Sequence, residues 1–343
     1  MAQPLVVQDL TTYFYMSQGT VIKAVDGVSL RVNRGDTCAI VGESGSGKSV
    51  FCRSILGLIN EPGRIVSGSV LFDGNNLLSF DEKHLEQIRG RKIGLVLQEP
   101  MAALNPLLTI GFQLMEPMRV HLGLSKSEAR TRAVELLAEV QISDPSSRLR
   151  QYPVHLSGGM RQRVMIAIAL SCEPDVLIAD EPTTALDVTV QAQILDMLDL
   201  IRERRDLAVI LVTHNLGLVA QHADYIYVMY AGRIVEHGPT ANVFASPSHP
   251  YTVDLLRSVP RIDMPKGTLL EPIRGNPPDL ARLPRGCSYR ERCDFAVDIC
   301  DEIAPGLVNV QVDCSVACYQ WAQVRLLAAG QNEPPSSSTQ GVS

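Results

Sequence analysis

The eight residues "GESGSGKS", Gly42 to Ser49, restrict the fold of this chain more than any other stretch. They match G-x-x-x-x-G-K-[ST], a loop whose glycines let backbone N–H groups turn inward on phosphate oxygens. The apolar "TCAIV" precedes them and the helical-periodic "KSVFCRSILGLI" follows. That order sets a helix N-terminus, with its positive potential, behind the phosphates. Gly42, Ser44, Gly45, Ser46 and Gly47 supply the cradle, Lys48 reaches the β- and γ-phosphates, and the Ser49 hydroxyl is suited to Mg²⁺. A flexible glycine–serine turn is the bland alternative, and the flanking strand and helix argue against it. Nucleotide binding on an α/β core is the expectation.

The rest of the chain fits such a core. "PLVVQDL" and the alternating "KAVDGVSLRV" read as strands of a sheet with one solvated face, and "GSVLFDGNNL" as a strand with a turn. Residues 107–151 read as helical, with Ser125 and Glu128 as a capping box ahead of Ala129, Val134, Leu137 and Val140. The runs "DVLIAD" and "LAVILVTH" suit strands buried on both faces of a parallel sheet. "DYIYVMYAGRIVEHG" reads as a terminal hairpin.

Several polar residues sit where such strands end. Asp180 closes "DVLIAD" at the place for a Mg²⁺-holding carboxylate, and Glu181 follows as a group able to polarise water. His214 closes "LAVILVTH", and Gln98 in "GLVLQEP" is a neutral amide able to contact Mg²⁺ or water. Taken singly, the last two are weak signals. In "LSGGMRQR", Ser157 is an N-cap ahead of Gly158 and Gly159, making a second phosphate-reading helix start. One γ-phosphate hardly needs two. The second makes sense if it serves a nucleotide bound by another subunit.

Composition narrows the setting. The 343 residues exceed one ordinary core, so one large domain and a smaller one are expected. A net charge of −6 supplies no basic field for nucleic acid. "MAQPLVVQDL" lacks the build of a signal peptide, and no stretch approaches eighteen uninterrupted apolar residues, so a cytosolic chain is expected.

Gly42–Ser49, Gln98, "LSGGM", "LIADEP", "ALD" and His214, in this order and spacing, resemble an ABC-transporter ATPase subunit over roughly residues 4–260. The resemblance implies a RecA-like P-loop core, an antiparallel β subdomain and a helical subdomain near 100–165. It also implies that Phe14, with Tyr13 and Tyr15 as rivals, stacks on adenine. By the same resemblance Gln98 senses Mg²⁺ and touches membrane subunits, while Ser157, Gly158 and Gly159 complete the partner's ATP site. Asp187 crosses the dimer interface, and Glu181 with His214 is the catalytic pair. The rivals are a non-transport ABC ATPase of DNA repair or translation and an accessory ATPase of Fe–S assembly. The chain has no long coiled-coil insertion, second cassette or basic patch.

"QEPMAALNP", "DEPTTALDVTVQAQIL", "VMYAGRIVE", "SHPYT" and "GNPPDL" further resemble the peptide/nickel importer branch. This implies two membrane-spanning permease subunits, a second and distinct ATPase subunit, an extracytoplasmic solute-binding protein, and a place at the cytoplasmic face of the membrane. The solute stays open among dipeptides, oligopeptides, glutathione-like peptides, nickel and cationic antimicrobial peptides.

From about Met264 the composition turns to Pro, Gly and Arg, and five of the eight cysteines lie between Cys287 and Cys318. A small Cys-rich domain over 261–330 and a disordered tail over 331–343 are expected. Cys287, Cys293, Cys300 and Cys318 are spaced C-x₅-C-x₆-C-x₁₇-C, which suits an Fe–S cluster or Zn²⁺ and leaves plain buried thiols open. The branch resemblance favours [4Fe–4S] on these four. Cys314, where relatives often carry His, competes as a ligand.

Overall fold

The computed structural model describes residues 4–99, 103–184, 186–258 and 272–330. The junction around Met264 and the tail expected over 331–343 lie outside the described residues.

Strands β1 (Leu5–Tyr15), β2 (Val21–Val32), β4 (Gly63–Phe72) and β5 (Asn75–Asn76) form an antiparallel sheet in the order β2-β1-β4-β5. The expected alternation holds along β2, where Val28, Leu30 and Val32 are buried while Ser29 and Arg31 face water. A second sheet of eight strands begins at one edge with Val308–Gln311 (β11), Cys314–Val316 (β12) and Arg233–Pro239 (β10). It continues with Tyr225–Tyr230 (β9), Thr37–Val41 (β3), Ala208–Val212 (β8), Val176–Asp180 (β7) and Ile93–Val96 (β6). Its centre is parallel: β3 lies between β8 and β9, and β7 between β8 and β6. Every residue of β3, β7 and β8 is buried, as their unbroken apolar runs require.

Because successive side chains point to opposite faces, each strand feeds two cores. Val176, Ile178, Ile210 and Val212 pack with Phe51, Ile55 and the antiparallel sheet. Leu177, Ala179, Val209 and Leu211 pack with the helical layer, whose Leu114, Met118, Leu136 and Val164 are fully buried. Each such side chain contributes about 1.5–3 kcal/mol relative to exposure.

The helical layer comprises Ile110–Leu122, Lys126–Glu139 and Gly158–Ala169. The second starts on the expected capping box of Ser125 and Glu128. Val134, expected on its apolar face, is only half-buried, and Ala133 and Leu136 fill the core beside Leu137.

The hairpin of β9 and β10 (Arg233–Pro239) is not the last pair of the sheet. Glu236 and His237 of β10 face Val316 and Ser315 of β12 (Cys314–Val316), which pairs in turn with β11 (Val308–Gln311). The Cys-bearing segment thus extends the core sheet at one edge. These strands are three and four residues long, too short to leave a period in the sequence.

Candidate functional site

The polar residues gather beyond the C-terminal ends of neighbouring parallel strands, the usual place for a ligand in an open α/β sheet. Gly42–Ser49 follows β3, Gln98 follows β6, Asp180 ends β7 with Glu181 next to it, and His214 follows β8. Adjacent strands in a twisted sheet bring residues far apart in sequence to one rim.

The loop after β3 is shaped by close backbone approaches. A Cβ at Gly42 would stand 2.2 Å from the Met229 carbonyl oxygen, and one at Gly47 2.1 Å from that of Ala24. Gly47 has φ +107° and caps the helix Lys48–Ile55, so both space and conformation demand glycine. Ser44 and Gly45 are exposed at the loop's crown, and Ser46 is buried with its carbonyl accepting from Gly232 N–H at 2.9 Å. Lys48 is buried and donates to the carbonyls of Gly42 and Glu43 at 2.8 and 2.9 Å and to Ser46 Oγ at 3.3 Å. Burial lowers its pKa, against the opposing pull of Glu181 and Asp180.

Ser49 Oγ donates to Asp180 Oδ1 at 2.9 Å, pairing the two oxygens expected to hold Mg²⁺. Burial raises the Asp180 pKa, and the Ser49 hydrogen bond opposes the rise. A divalent cation supplies the charge that such a buried carboxylate lacks, so the donor set fits Mg²⁺.

Glu181 has φ +48°, a left-handed conformation costing a non-glycine residue about 1–3 kcal/mol. Its N–H is held by the Val212 carbonyl at 3.0 Å, which keeps the chain turned at the strand tip. The carboxylate is the meeting point of the site. Oε2 accepts from Gln98 Nε2 and from Thr184 Oγ1, each at 2.8 Å, and His214 Nδ1 lies 3.7 Å away. Gln98, Glu181 and His214, 116 residues apart at the extremes of their numbering, therefore share one atom's neighbourhood. Thr184 was not legible as a partner, although its i+3 spacing from Glu181 is a usable signal.

Ser157 caps the helix Gly158–Ala169, accepting from Met160 N–H at 3.3 Å. Gly158 and Gly159 lie against Leu186 and Val190, where a Cβ at Gly159 would meet Val190 Cγ1 at 2.9 Å. Asp187 caps the helix Val188–Arg205 through Val190 N–H at 3.0 Å. Ser157 and Asp187 thus form a second cluster. Among the described residues no hydrogen bond joins it to Gly42–Ser49.

Of the three aromatic candidates on β1, Tyr13 spends its hydroxyl on Asp26, Phe14 is half-buried over Gly63, and Tyr15 is exposed.

Cys287, Cys293, Cys300 and Cys318 line one small cavity with His249 and Phe295. Cys314 lies elsewhere, against Gly238 and within 3.8 Å of Asn242 Nδ2. Burial, with the neighbouring thiols adding to it, pushes Cys293 up to about 11 and Cys318 up to about 12. Among the described residues no three metal-binding side chains stand as a ready coordination sphere, so the four thiols converge without closing on a centre.

A family model described as ABC transporter matches residues 25–184, and one described as oligopeptide/dipeptide transporter, C-terminal region, matches residues 235–300. The dipeptide transport ATP-binding protein of Bacillus subtilis is 50% identical over 320 residues, covering 93% of this chain and 95% of that protein. The oligopeptide transport ATP-binding protein of Salmonella typhimurium is 46% identical over 301 residues, covering 88% and 89%. The dimeric structure of a bacterial ABC transporter cassette superposes with TM-score 0.62 at 30% identity, covering 69% of this chain and 98% of that one.

Proposed function

The chain belongs to the ATP-binding subunits of ABC transporters, in the oligopeptide/dipeptide group, and from that premise we propose how its residues work. It is an ATP-hydrolysing subunit that powers a peptide-type importer, with membrane permease subunits and a solute-binding protein as its partners. The observation that carries the reading is the convergence of Gln98, Thr184 and His214 on the Glu181 carboxylate, beside the Ser49–Asp180 pair.

The loop amides of Gly42–Ser49 and Lys48 bind the β- and γ-phosphates. Ser49, Asp180 and Gln98 hold Mg²⁺, which when bound offsets phosphate charge. Glu181 polarises the attacking water, held in orientation by Thr184 and Gln98, and His214 assists it at the γ-phosphate. Phe14 stacks on adenine. Ser157, Gly158, Gly159 and Asp187 complete the site of a second, related but distinct ATPase subunit. Closure of the pair on two ATP molecules pulls on two membrane-spanning subunits, and hydrolysis reopens it. Among the described residues no helix is long and apolar enough to cross a membrane, in keeping with a peripheral subunit, which we place at the cytoplasmic face. Tagged chain extracted in mild detergent should retain two integral membrane proteins. Recovery with nucleic acid and no membrane protein would favour a non-transport ATPase.

We assign residues 1–260 to the ATPase, with its helical part near 100–165, residues 261–330 to a Cys-rich domain and 331–343 to a tail. Cys287, Cys293, Cys300 and Cys318 are assigned to a [4Fe–4S] cluster. Their shared cavity and the position of Cys314 outside it support this ligand set. Protein purified without oxygen should be brown, with iron and sulfide in about a 4:4 ratio per chain. Cys318→Ser should bleach it and Cys314→Ser should not. The reverse would reassign the fourth ligand, and stoichiometric zinc without sulfide would replace the cluster with a zinc site.

A further inference from the structure

Arg292 lies in the Cys-rich segment, directly before Cys293, yet its side chain reaches a residue 249 positions earlier in the phosphate loop. Nη1 and Nη2 grip the two carboxylate oxygens of Glu43 at 2.6 and 2.9 Å. The rest of the guanidinium is also engaged. Nε donates to the Arg274 carbonyl at 2.6 Å, Nη1 also to the Tyr230 hydroxyl at 3.3 Å, and the group lies 5.8 and 5.6 Å from the ring centroids of Tyr230 and Tyr289. The side chain is only 4% exposed. A planar fork fixed from so many directions presents itself to Glu43 in one orientation.

Glu43 is the residue on which the loop's own contacts converge. Its carbonyl accepts from Lys48 Nζ at 2.9 Å and from Ser46 N–H at 3.2 Å, and its N–H donates to the Tyr251 hydroxyl at 2.7 Å. A carboxylate beside a triphosphate site repels the nucleotide unless a cation offsets it, and Arg292 supplies that cation.

What places Arg292 is the turn between two of the clustered thiols. Arg290 N–H donates to the Cys287 carbonyl at 3.0 Å, Arg292 N–H to that of Tyr289 at 3.0 Å, and Cys293 N–H to that of Arg290 at 3.3 Å. Cys287 N–H is in turn tied to the Cys300 carbonyl at 2.8 Å. The turn that carries the guanidinium is therefore tied at both ends to cysteine backbone.

We propose that Arg292 is a positioning residue for the phosphate loop and that, through its grip on Glu43, the integrity of the four-cysteine cluster sets the affinity for ATP. The proposal rests on Gly42–Ser49 as the ATP site and on the four cysteines as one packed cluster, with or without an ion.

Calorimetric titration of the full chain, purified without oxygen, with ATP tests it. Arg292→Gln should raise the dissociation constant about tenfold, as loss of one charge-assisted pair implies. Adding Glu43→Gln should return most of the affinity, because the uncompensated carboxylate is gone. A purely structural loss at Arg292 would not be rescued. Cys293→Ser should weaken ATP binding in the otherwise native chain and leave the Glu43→Gln/Arg292→Gln chain unchanged. Equal weakening in both backgrounds, or native affinity in Arg292→Gln, would overturn the proposal. Should Arg292→Gln fail to fold, Arg292→Lys gives the same decision, since it keeps the charge but loses the fork. A smaller rise in KM for ATP with kcat of the assembled transporter held is then expected, and an unmoved KM overturns the idea. Absence of iron and zinc would remove the cluster assignment but leave these affinity measurements decisive.

Discussion

Glu181→Gln should leave ATP bound while phosphate release from the assembled transporter falls by about 10²–10⁴-fold, the contribution usual for a positioned general base. The substitution is close to isosteric. The amide carbonyl of Gln can still accept from Thr184 Oγ1 and Gln98 Nε2, both of which now meet Oε2 at 2.8 Å. The left-handed backbone at this position, held by the Val212 carbonyl, is not disturbed either. What disappears is the negative charge on which the proposed general-base role depends. Because Lys48, Ser49 and Asp180 are untouched, nucleotide binding persists. With the partner ATPase subunit present, the chain should then accumulate as an ATP-stabilised dimer in size-exclusion chromatography. Turnover within a few-fold of the native transporter would take Glu181 out of the catalytic role.

The parts of this site that are legible in the sequence are those set by local chain chemistry. Gly42–Ser49 is readable because close approach to the Met229 and Ala24 carbonyls admits only glycine at Gly42 and Gly47, and that demand leaves a pattern. The strands β3, β7 and β8 are readable because burial on both faces leaves unbroken apolar runs. The capping box at Ser125 and the cap at Ser157 span three residues and are equally local.

What stays hidden depends on pairing across the sheet. Glu181 and Gln98 meet because β6 and β7 are neighbours, and an 83-residue separation leaves no periodic trace. The grip of Arg292 on Glu43 is more remote still, and its arginine looks in sequence like any charge between two cysteines. The addition of β12 to β10 is hidden for a different reason: two paired positions are too few to stand out from a loop.

Ser157→Arg should act on the partner's nucleotide and not on the chain's own. The mutated helix start lies in a cluster with Asp187 that shares no hydrogen bond with Gly42–Ser49 among the described residues, so Lys48 still holds its own ATP. In the closed pair the arginine would fill the space through which the helix N-terminus presents its N–H groups to the opposing γ-phosphate. Loss of such preorganised donors lowers turnover by on the order of 10²-fold or more. Removing the serine also removes the cap on Met160 N–H, which costs about 1 kcal/mol of helix stability. Ser157→Thr separates the two effects, since threonine keeps a capping oxygen without the bulk. The isolated Ser157→Arg subunit should bind ATP as the native one does, while ATPase activity of the assembled transporter collapses and Ser157→Thr retains most of it. Loss of ATP binding by the isolated Ser157→Arg subunit would mean that this helix start reads the chain's own nucleotide, and the two-subunit arrangement would have to be abandoned.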